Sequence, residues 1–174
     1  MYTLEDIREN ADNKDYILNA VKEDGLLLEG ACDSLRDDKE VVLEAVTTDG
    51  GALEFASDRL KDDKEVLMKA VETKGWVICY ASEKLKADKD LILKAVKNDG
   101  QVLYYASKEL RDDYDVVLAA VQNKGLIIKY ASKRLRENKE IAIEAIKKDK
   151  RAYDFIVPEL RQDEEIQNIV SPKE

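Results

Sequence analysis

Two kinds of side chain that could do chemistry recur along this sequence at a spacing of 25 residues. Acidic residues come two positions apart, as in Asp38 and Glu40, and such carboxylates can hold a metal ion or work as an acid and a base. A serine follows an alanine, as at Ser57, and a serine can serve as a nucleophile. The chain contains no histidine, so a nucleophilic triad built on histidine is not available.

The same period governs almost the whole chain. Asp38–Asp62 reads DKEVVLEAVTTDGGALEFASDRLKD, and the next copy reads DKEVLMKAVETKGWVICYASEKLKA. Fixed repeats of this length indicate stacked supersecondary units. We therefore predict an all-α fold, an α-solenoid of about six 25-residue helix-turn-helix repeats with terminal capping helices. The predicted domains are an N-terminal cap at 1–12, six repeats at 13–37, 38–62, 63–87, 88–112, 113–137 and 138–162, and a C-terminal capping helix with a frayed tail at 163–174.

Each repeat is predicted to begin with a capped helix, because its first residue is always Asp or Asn. These residues are Asn13, Asp38, Asp63, Asp88, Asp113, Asn138 and Asp163. Their side-chain oxygens can accept a hydrogen bond from the free N–H groups of a helix start. The acid two residues later is favourable at the positive end of the helix dipole. Capping is therefore preferred over metal binding as the interpretation of the paired acids.

The residues after this helix predict a turn and a second helix. Glycine stands at Gly25, Gly50, Gly75, Gly100 and Gly125, and it is predicted to adopt the left-handed conformation that ends many helices. Lys150 takes this place in the sixth repeat, where we expect a strain of about 1 kcal/mol. A second helix of about ten residues, Gly51 to Leu60 in the second repeat, should follow. Its serine hydroxyl is predicted to bond a carbonyl one turn earlier.

Aromatic and sulfur side chains are interpreted as structural. The aromatic residues before the Ala-Ser pair are Phe55, Tyr80, Tyr105, Tyr130 and Phe155. They are predicted to pack as a ladder, with a ligand-stacking platform as the alternative. Cys32 and Cys79 fall in the first and third repeats, roughly 20 Å apart if packed helices lie ~8–10 Å from each other. This separation excludes a disulfide, so we expect inert thiols.

Three positions of the predicted second helix change type between repeats while their neighbours stay the same. They are Leu26, Glu29 and Asp33; Gly51, Glu54 and Asp58; Trp76, Cys79 and Glu83; Gln101, Tyr104 and Lys108; Leu126, Lys129 and Lys133; Arg151, Asp154 and Pro158. The spacing puts each set on one side of a helix. Exposed aromatic residues within a polar rim are typical of interaction hot spots. The hypothesis is a partner-binding site at Trp76, Cys79, Gln101, Tyr104, Lys108, Lys129 and Lys133. A solvated face that varies freely is the alternative.

Charge is distributed unevenly along the chain, whose net charge is −9. Residues 1–62 hold 17 acidic and 7 basic residues, whereas residues 63–162 hold 17 acidic and 21 basic residues. The overall acidity disfavours general nucleic-acid binding. A local contact through the basic C-terminal repeats is kept as an alternative, at Lys129, Lys133, Arg134, Arg136, Lys147, Lys148, Lys150 and Arg151.

Cellular location is bounded by two further observations. No apolar run approaches the ~18 residues that a membrane span needs. The first ten residues, MYTLEDIREN, lack the pattern of a signal peptide. We expect a cytoplasmic protein, or one translocated into a host cytosol without a conventional signal peptide.

The repeat also resembles a known family. The pattern D-K-E-V-V-L-x-A-V, then a glycine, then L-x-Y-A-S-x-x-L-R-x-D, is carried by Asp88–Asp112 and Asp113–Glu137. It resembles the helical repeats of DUF 4116, a domain of unknown function that spans about two such units. The resemblance covers residues 13–162 apart from the last second helix. It implies no catalytic motif, and it points to bacterial proteins, including effectors of intracellular pathogens, and to protist proteins.

These observations give three hypotheses. The first is a non-enzymatic protein–protein interaction scaffold, a monomer that binds a protein or peptide partner without a cofactor or metal, with a role inside a bacterial effector as one version. The second is an accessory module that positions a substrate for a larger enzyme. The third is the local nucleic-acid contact. An enzyme is disfavoured because the sequence has no histidine, glycine-rich phosphate loop or metal-ligand cluster.

Overall fold

The computed structural model describes residues 2–171, and every regular element in that range is a helix. The prediction of an all-α chain with tandem repeats of about 25 residues is therefore confirmed. The chain divides into two compact units, Met1–Leu85 and Lys86–Glu174. Met1 and the predicted frayed tail at 172–174 lie outside the described residues. No helix within residues 2–171 is long and apolar enough to cross a membrane.

The first unit is built around three long helices that alternate with short helical segments. In chain order its elements are α1 (Leu4–Glu9), α2 (Lys14–Glu23), a 3-10 helix (Gly25–Gly30), α3 (Asp33–Arg36), α4 (Lys39–Thr48), a 3-10 helix (Gly50–Phe55), α5 (Asp58–Lys61), α6 (Lys64–Thr73), a 3-10 helix (Gly75–Tyr80) and the start of α7 (Glu83–Lys86). Helix α4 packs against α2 on one side and α6 on the other. Its apolar arc is accordingly wide, and Val41, Val42, Ala45 and Val46 are fully buried.

The second unit repeats this alternation. Its elements are α8 (Lys89–Asn98), a 3-10 helix (Gly100–Tyr104), a 3-10 helix (Leu110–Asp112), α9 (Tyr114–Asn123), a 3-10 helix (Gly125–Tyr130), α10 (Lys133–Arg136), α11 (Lys139–Lys148), a 3-10 helix (Lys150–Phe155), a 3-10 helix (Leu160–Gln162) and α12 (Glu164–Val170). Helix α9 packs between α8 and α11, and α11 also contacts α12. Burial of α9 again centres on small and β-branched residues, Val116, Val117, Ala120 and Val121.

The predicted N-caps of the long helices are confirmed. At every one of them, and at α12, the side chain of the predicted residue accepts a hydrogen bond from a backbone N–H of the first turn. The seven caps are Asn13, Asp38, Asp63, Asp88, Asp113, Asn138 and Asp163. Each cap residue has extended backbone angles, so the chain turns into the helix at this point.

The prediction of a continuous second helix is wrong. In the second repeat a 3-10 helix ends at Phe55, Ala56 is extended with φ −67° and ψ 159°, and α5 begins at Asp58. The break occurs because Ser57 acts as an N-cap: its hydroxyl accepts a hydrogen bond from the Leu60 N–H at 3.3 Å. The Ser57 N–H donates to the Arg36 carbonyl of the preceding repeat at 3.0 Å. The serine therefore starts a helix and joins two repeats, and the predicted bond to an earlier carbonyl does not form.

The predicted left-handed glycines are also wrong, since none of the described residues has a positive φ. Glycine is needed at these positions because the next repeat approaches too closely for a side chain. A Cβ on Gly50 would lie 2.1 Å from the carbonyl oxygen of Ala70 in α6, and one on Gly125 would lie 2.2 Å from that of Ala145 in α11. Lys150, at the same place in the sixth repeat, is exposed, and its Nζ donates to the Val170 carbonyl at 3.1 Å. The expected strain at Lys150 is therefore absent.

Candidate partner-binding surface

The repeated acids are occupied by contacts between neighbouring repeats. In the first unit the Lys14 ammonium lies 2.7 Å from the Asp38 carboxylate and 2.8 Å from that of Glu40. These hydrogen bonds raise the pKa of Lys14 to about 12 and lower that of Asp38. Equivalent contacts join Lys39 to Asp63 and Glu65, Lys89 to Asp113 and Asp115, and Lys139 to Asp163 and Glu165. We call these four groups the lysine clamps. The acids cap a helix and hold a lysine of the preceding repeat.

One repeat of the second unit lacks a lysine clamp. Tyr114 stands where the other long helices of that unit begin with Lys89 and Lys139, and the cap that follows is Asn138. A hydrogen bond with Glu140 and burial raise the pKa of Tyr114. Lysine and aspartate are thus replaced together by tyrosine and asparagine, and Tyr114 hydrogen-bonds with Glu140, the second acid of the pattern, in place of a lysine.

The repeated serines are held by aspartates rather than by a catalytic base. The Asp37 carboxylate accepts a hydrogen bond from the Ser57 hydroxyl and one from Arg59 Nε, the latter at 3.0 Å. Both bonds lower the pKa of Asp37, which makes the carboxylate a poor proton acceptor. Ser132, Arg134 and Asp112 repeat the arrangement in the second unit. Ser57 and Ser132 therefore connect repeats, and the hydroxyl of each donates to a carboxylate whose pKa is lowered.

The seven predicted binding residues are divided between the two units. Trp76 and Cys79 belong to the first unit, and Gln101, Tyr104, Lys108, Lys129 and Lys133 belong to the second. Six of the seven are exposed, whereas Cys79 is half-buried. Whether any of them binds a partner stays a prediction.

In the second unit, Tyr104 is the centre of a cluster of three aromatic rings. Its side chain is 56% exposed. Its ring centroid lies 5.1 Å from that of Tyr105 and 5.0 Å from that of Tyr130, both in edge-on geometry. The Lys129 ammonium lies 4.9 Å from the centroid of the Tyr130 ring, within the range of a cation–π contact. We call Tyr104, Tyr105, Tyr130 and Lys129 the tyrosine surface.

The tyrosine surface is supported by anchored 3-10 helices. Gly100 donates its N–H to the Asn123 Oδ1 in α9 at 2.9 Å, and the Gln101 N–H donates to the Asp99 carboxylate at 2.9 Å. Leu103, one residue before Tyr104, is fully buried. Ile128 is fully buried beside Lys129. Leu103 and Ile128 thus anchor the two 3-10 helices in the core, while the next residues in the chain, Tyr104 and Lys129, are exposed to solvent.

Three other residues of the prediction flank the tyrosine surface in sequence. Gln101 lies three residues before Tyr104 and Lys108 lies four residues after it, and both are exposed. Lys133 begins α10, and its ammonium is 3.6 Å from the Glu137 carboxylate. This exposed pair at one helical turn contributes little stability. The lysine charge therefore stays accessible to a partner.

The first unit has a smaller aromatic pair. Trp76 is 39% exposed, and its ring centroid lies 6.0 Å from that of Tyr80. The Lys61 ammonium lies 5.3 Å from the Tyr80 centroid. Burial, together with the nearby Glu54 carboxylate, raises the pKa of Tyr80. In this pair Tyr80 is half-buried and Trp76 is exposed, whereas in the second unit the adjacent rings of Tyr104 and Tyr105 are both exposed.

The aromatic ladder is not formed as predicted. Apart from the contact between Tyr2 and Tyr16, the ring contacts within the described part of each unit connect a variable position to a ladder position, as Trp76 to Tyr80 and Tyr104 to Tyr130. Tyr105 was assigned to packing, yet it is 37% exposed. The reason is local: the 3-10 helix of this repeat ends at Tyr104, one residue earlier than its counterparts, and Tyr105 has φ −86° and ψ −16°. The doubled tyrosine of QVLYYAS is the sequence feature that could have indicated this.

The remaining variable positions are mostly exposed, with Gly51 as a clear exception. Gly51 is buried, because its N–H turns towards the Asp49 carboxylate at 2.7 Å to cap the 3-10 helix. Leu26 is exposed, and Leu126 is half-buried. The predicted variable face is thus wrong at Gly51, where the position belongs to the turn.

The two cysteines form no disulfide with each other, as predicted. Cys32 is the N-cap residue of α3, and its sulfur lies 3.0 Å from the Ser34 hydroxyl. Hydrogen bonds with Ser34 and with the Leu35 N–H lower the pKa of the Cys32 thiol. Metal binding has no obvious place in the described part of the chain, since no group of three or more His, Cys, Asp or Glu side chains is arranged to hold an ion.

Much of the basic charge proposed for nucleic acid has partners within the protein. Arg134 binds the Asp112 carboxylate, Arg151 the Asp149 carboxylate, and Lys147 the Glu144 carboxylate. Lys150 donates to a backbone carbonyl. These exposed contacts weaken the positive field that phosphates would meet. The expectation that nucleic acid is not the main partner stays a prediction.

Comparison with known proteins identifies the repeat. No curated protein and no solved structure matches the chain significantly. Four overlapping segments, residues 13–61, 38–86, 63–111 and 88–136, match the family described as a domain of unknown function, DUF4116. Each segment begins at a helix cap and spans two repeats, whereas the sixth repeat lies beyond the last match. The predicted resemblance is confirmed over residues 13–136: the chain belongs to the DUF4116 family.

Proposed function

We propose that this protein is a non-enzymatic scaffold that binds another protein through the exposed residues of its short helical segments. The scaffold is an α-solenoid of about six helix-turn-helix repeats with a helix at each end, and it acts as a monomer. Support comes from the packing inside each unit, where successive long helices contact each other: α2 contacts α4 and α4 contacts α6, and α8 contacts α9 and α9 contacts α11. Repeats that bury one face against their neighbours leave another face for partners.

The tyrosine surface is the observation that carries this proposal. Tyr104 and Tyr105 are two of the four large apolar side chains that are notably exposed in the described residues, and they are adjacent. Rigid, partly exposed tyrosines within a polar rim are the residues that most often dominate binding energy in protein interfaces. The tyrosine surface offers ring area, hydroxyl groups and a lysine, but no acid–base pair.

The difference between the constant and the variable positions of the repeat gives further support. Residues that repeat faithfully are used inside the protein, as the caps and lysine clamps illustrate. Residues that differ between repeats mostly face solvent, as Glu54, Trp76, Tyr104 and Lys129 do. Internal contacts therefore explain the constant positions, and an external partner explains why the variable ones include aromatic residues.

Site-specific crosslinking tests the proposal. A photoreactive phenylalanine analogue is placed at Tyr104 in one variant and at Gln122, an exposed residue of long helix α9, in a control. Both are expressed in the cell type that naturally makes the protein and are irradiated there. We expect a discrete crosslinked protein from position 104 that is absent from position 122. The same adducts from both positions, or none from position 104, would contradict the proposal.

A further inference from the structure

We propose that the segment bound at the tyrosine surface is an extended acidic peptide of a partner protein that carries an apolar anchor side chain. This inference rests on the proposed function and adds the chemistry of the partner. It follows from the shape of the ring cluster, from the charges around it, and from the contacts that the rings already make.

The ring geometry favours an apolar anchor. The planes of Tyr104 and Tyr105 meet at 77°, and those of Tyr104 and Tyr130 meet at 64°. Rings that meet edge-on present ring edges and parts of their faces rather than one flat platform. A leucine, phenylalanine or proline side chain can pack against such exposed rings, and the tyrosine hydroxyl groups can hydrogen-bond to peptide backbone. Exposed rings lose water when they are covered, which contributes favourably to binding.

The charge around the rings favours an acidic sequence. Lys108 and Lys129 form no ion pair with any residue between 2 and 171, and Lys133 has only the exposed contact with Glu137. The segment Gly125–Glu137 contains four basic residues and one acid, GLIIKYASKRLRE. By contrast, the equivalent segment of the first repeat, GLLLEGACDSLRD, has three acids and one base. Electrostatic complementarity of this kind selects among partners more than it adds affinity.

The contacts within the cluster favour a peptide over single-stranded nucleic acid. Bases bind proteins by stacking on free aromatic faces. At the tyrosine surface the Lys129 ammonium covers one face of Tyr130, and the edge-on ring contacts use further face area. The neighbouring Arg134 is held by Asp112.

Peptide selection tests this inference without knowledge of the natural partner. A phage-displayed library of random 12-residue peptides is selected on the immobilised full chain. It is selected in parallel on Lys129→Glu/Lys133→Glu and on a control with the same charge change in the same unit, Lys97→Glu/Lys124→Glu. We expect acidic peptides with a recurring apolar residue from the wild type and from the control. The variant with reversed charge at the tyrosine surface should lose this preference.

A synthetic version of the best-selected peptide then locates the site by fluorescence anisotropy. Tyr104→Ala should weaken its binding by about tenfold or more, as expected when a central aromatic anchor is lost, while Tyr104→Phe should keep most of the affinity. Binding should also weaken as salt rises from low to physiological concentration. Circular dichroism of each variant checks that the helical fold is retained.

The possible failures have distinct meanings. Selected peptides without an acidic bias, or acidic peptides that bind equally well after Tyr104→Ala, overturn the inference. So does an absence of selected peptides. Tighter binding of a 20-residue oligo(dT) than of the peptide, abolished by Lys129→Glu/Lys133→Glu, overturns it in favour of nucleic acid. The proposed scaffold function fails separately, when no protein is crosslinked from position 104 in cells.

Discussion

The contacts between repeats and the tyrosine surface follow opposite rules. Where repeats meet, the residue types are nearly constant because a neighbouring group restricts them. A Cβ on Gly50 would lie 2.1 Å from the Ala70 carbonyl oxygen, and the Lys39 ammonium lies 2.8 Å from the Asp63 carboxylate. At the tyrosine surface the position shared by Tyr104 and Lys129 holds glutamate, cysteine, tyrosine, lysine or aspartate in different repeats. Solvent imposes no such requirement on the exposed side chains of Tyr104 and Lys129, and the proposed partner would account for the residue types found there.

Lys150 tests this rule within the protein itself. It occupies the glycine position of the sixth repeat, where the following helix α12 ends at Val170. No backbone blocks its side chain, and it reaches the Val170 carbonyl. The requirement for glycine thus disappears with the neighbour that causes it.

The largest effect is expected directly beneath the tyrosine surface. Leu103 is fully buried, and Leu103→Ala should lower the free energy of unfolding by about 2–5 kcal/mol because it removes buried apolar area and leaves a cavity. Urea denaturation followed by circular dichroism measures the change. A loss below about 1 kcal/mol would contradict the assignment of Leu103 to the core.

The next effect concerns the close approach of repeats. Gly50→Ala places a Cβ 2.1 Å from the Ala70 carbonyl oxygen, so backbone must move, and we expect a loss of about 1–3 kcal/mol. Gly51→Ala is the matched control, because the nearest neighbours of its Cβ would be side-chain atoms, Asp49 Oδ1 at 3.0 Å and Leu26 Cδ2 at 3.7 Å. Equal melting temperatures of the two variants would show that the approach at Gly50 is not the reason for glycine.

A smaller effect is expected at a helix cap. Asp63 accepts hydrogen bonds from the N–H groups of Glu65 and Val66, and Asp63→Ala should cost about 0.5–2 kcal/mol. Asp63→Asn keeps the cap while removing the charge that meets Lys39, as Asn138 does naturally. It should therefore lose less than Asp63→Ala in the same urea measurement. An equal loss for the two variants would make the lysine clamp, rather than the cap, the main contribution, because both variants remove the charge that meets Lys39.

The sequence predicted the caps and the repeats because each depends on residues close together in the chain. An N-cap needs only Asp63 and the two N–H groups that follow it. The role of glycine was mispredicted because it depends on Ala70, a full repeat away. The break at Ser57 was missed for the same reason, since its N–H is satisfied by Arg36 of the preceding repeat.

The candidate surface was predicted only in part. Comparison of repeats found Tyr104, because that position varies, but it placed Tyr105 and Tyr130 in a packing ladder. Their grouping depends on the early end of one 3-10 helix and on ring orientations across two repeats. The spacing of residue types along the chain does not indicate where a 3-10 helix ends or how the rings are oriented. Gly51 was wrongly included in the variable face. Its position varies between repeats, but Gly51 is buried, so variation alone does not imply exposure.

The pH dependence of the melting temperature should show how little the contacts of the exposed aspartates contribute to stability. Contacts with Lys14 and Ser57 lower the folded-state pKa of Asp38 and Asp37 respectively. A lowered pKa means that the stability is present above the unfolded-state value, near 4, and is lost as the pH falls through the lower folded-state value. With no histidine in the chain, the melting temperature should be nearly constant from about pH 5.5 to 8. It should fall only below about pH 4, in a series of scanning calorimetry runs. A marked change of the melting temperature with pH near 6.5 would contradict the assignment of the pH-dependent stability to these aspartates.

The smallest effect on stability is expected at Tyr104, next to the residue with the largest. Tyr104→Ala removes two edge-on ring contacts from a side chain that is 56% exposed, so the free energy of unfolding should fall by less than about 1 kcal/mol. If the loss approached that of Leu103→Ala, Tyr104 would be a packing residue, and the exposed rings would need no partner. A small loss together with the loss of peptide binding would mean that the tyrosine is kept at a position where the fold does not require it. Adjacent residues of one turn would then serve different ends, Leu103 the assembly of the repeats and Tyr104 the recognition of a partner.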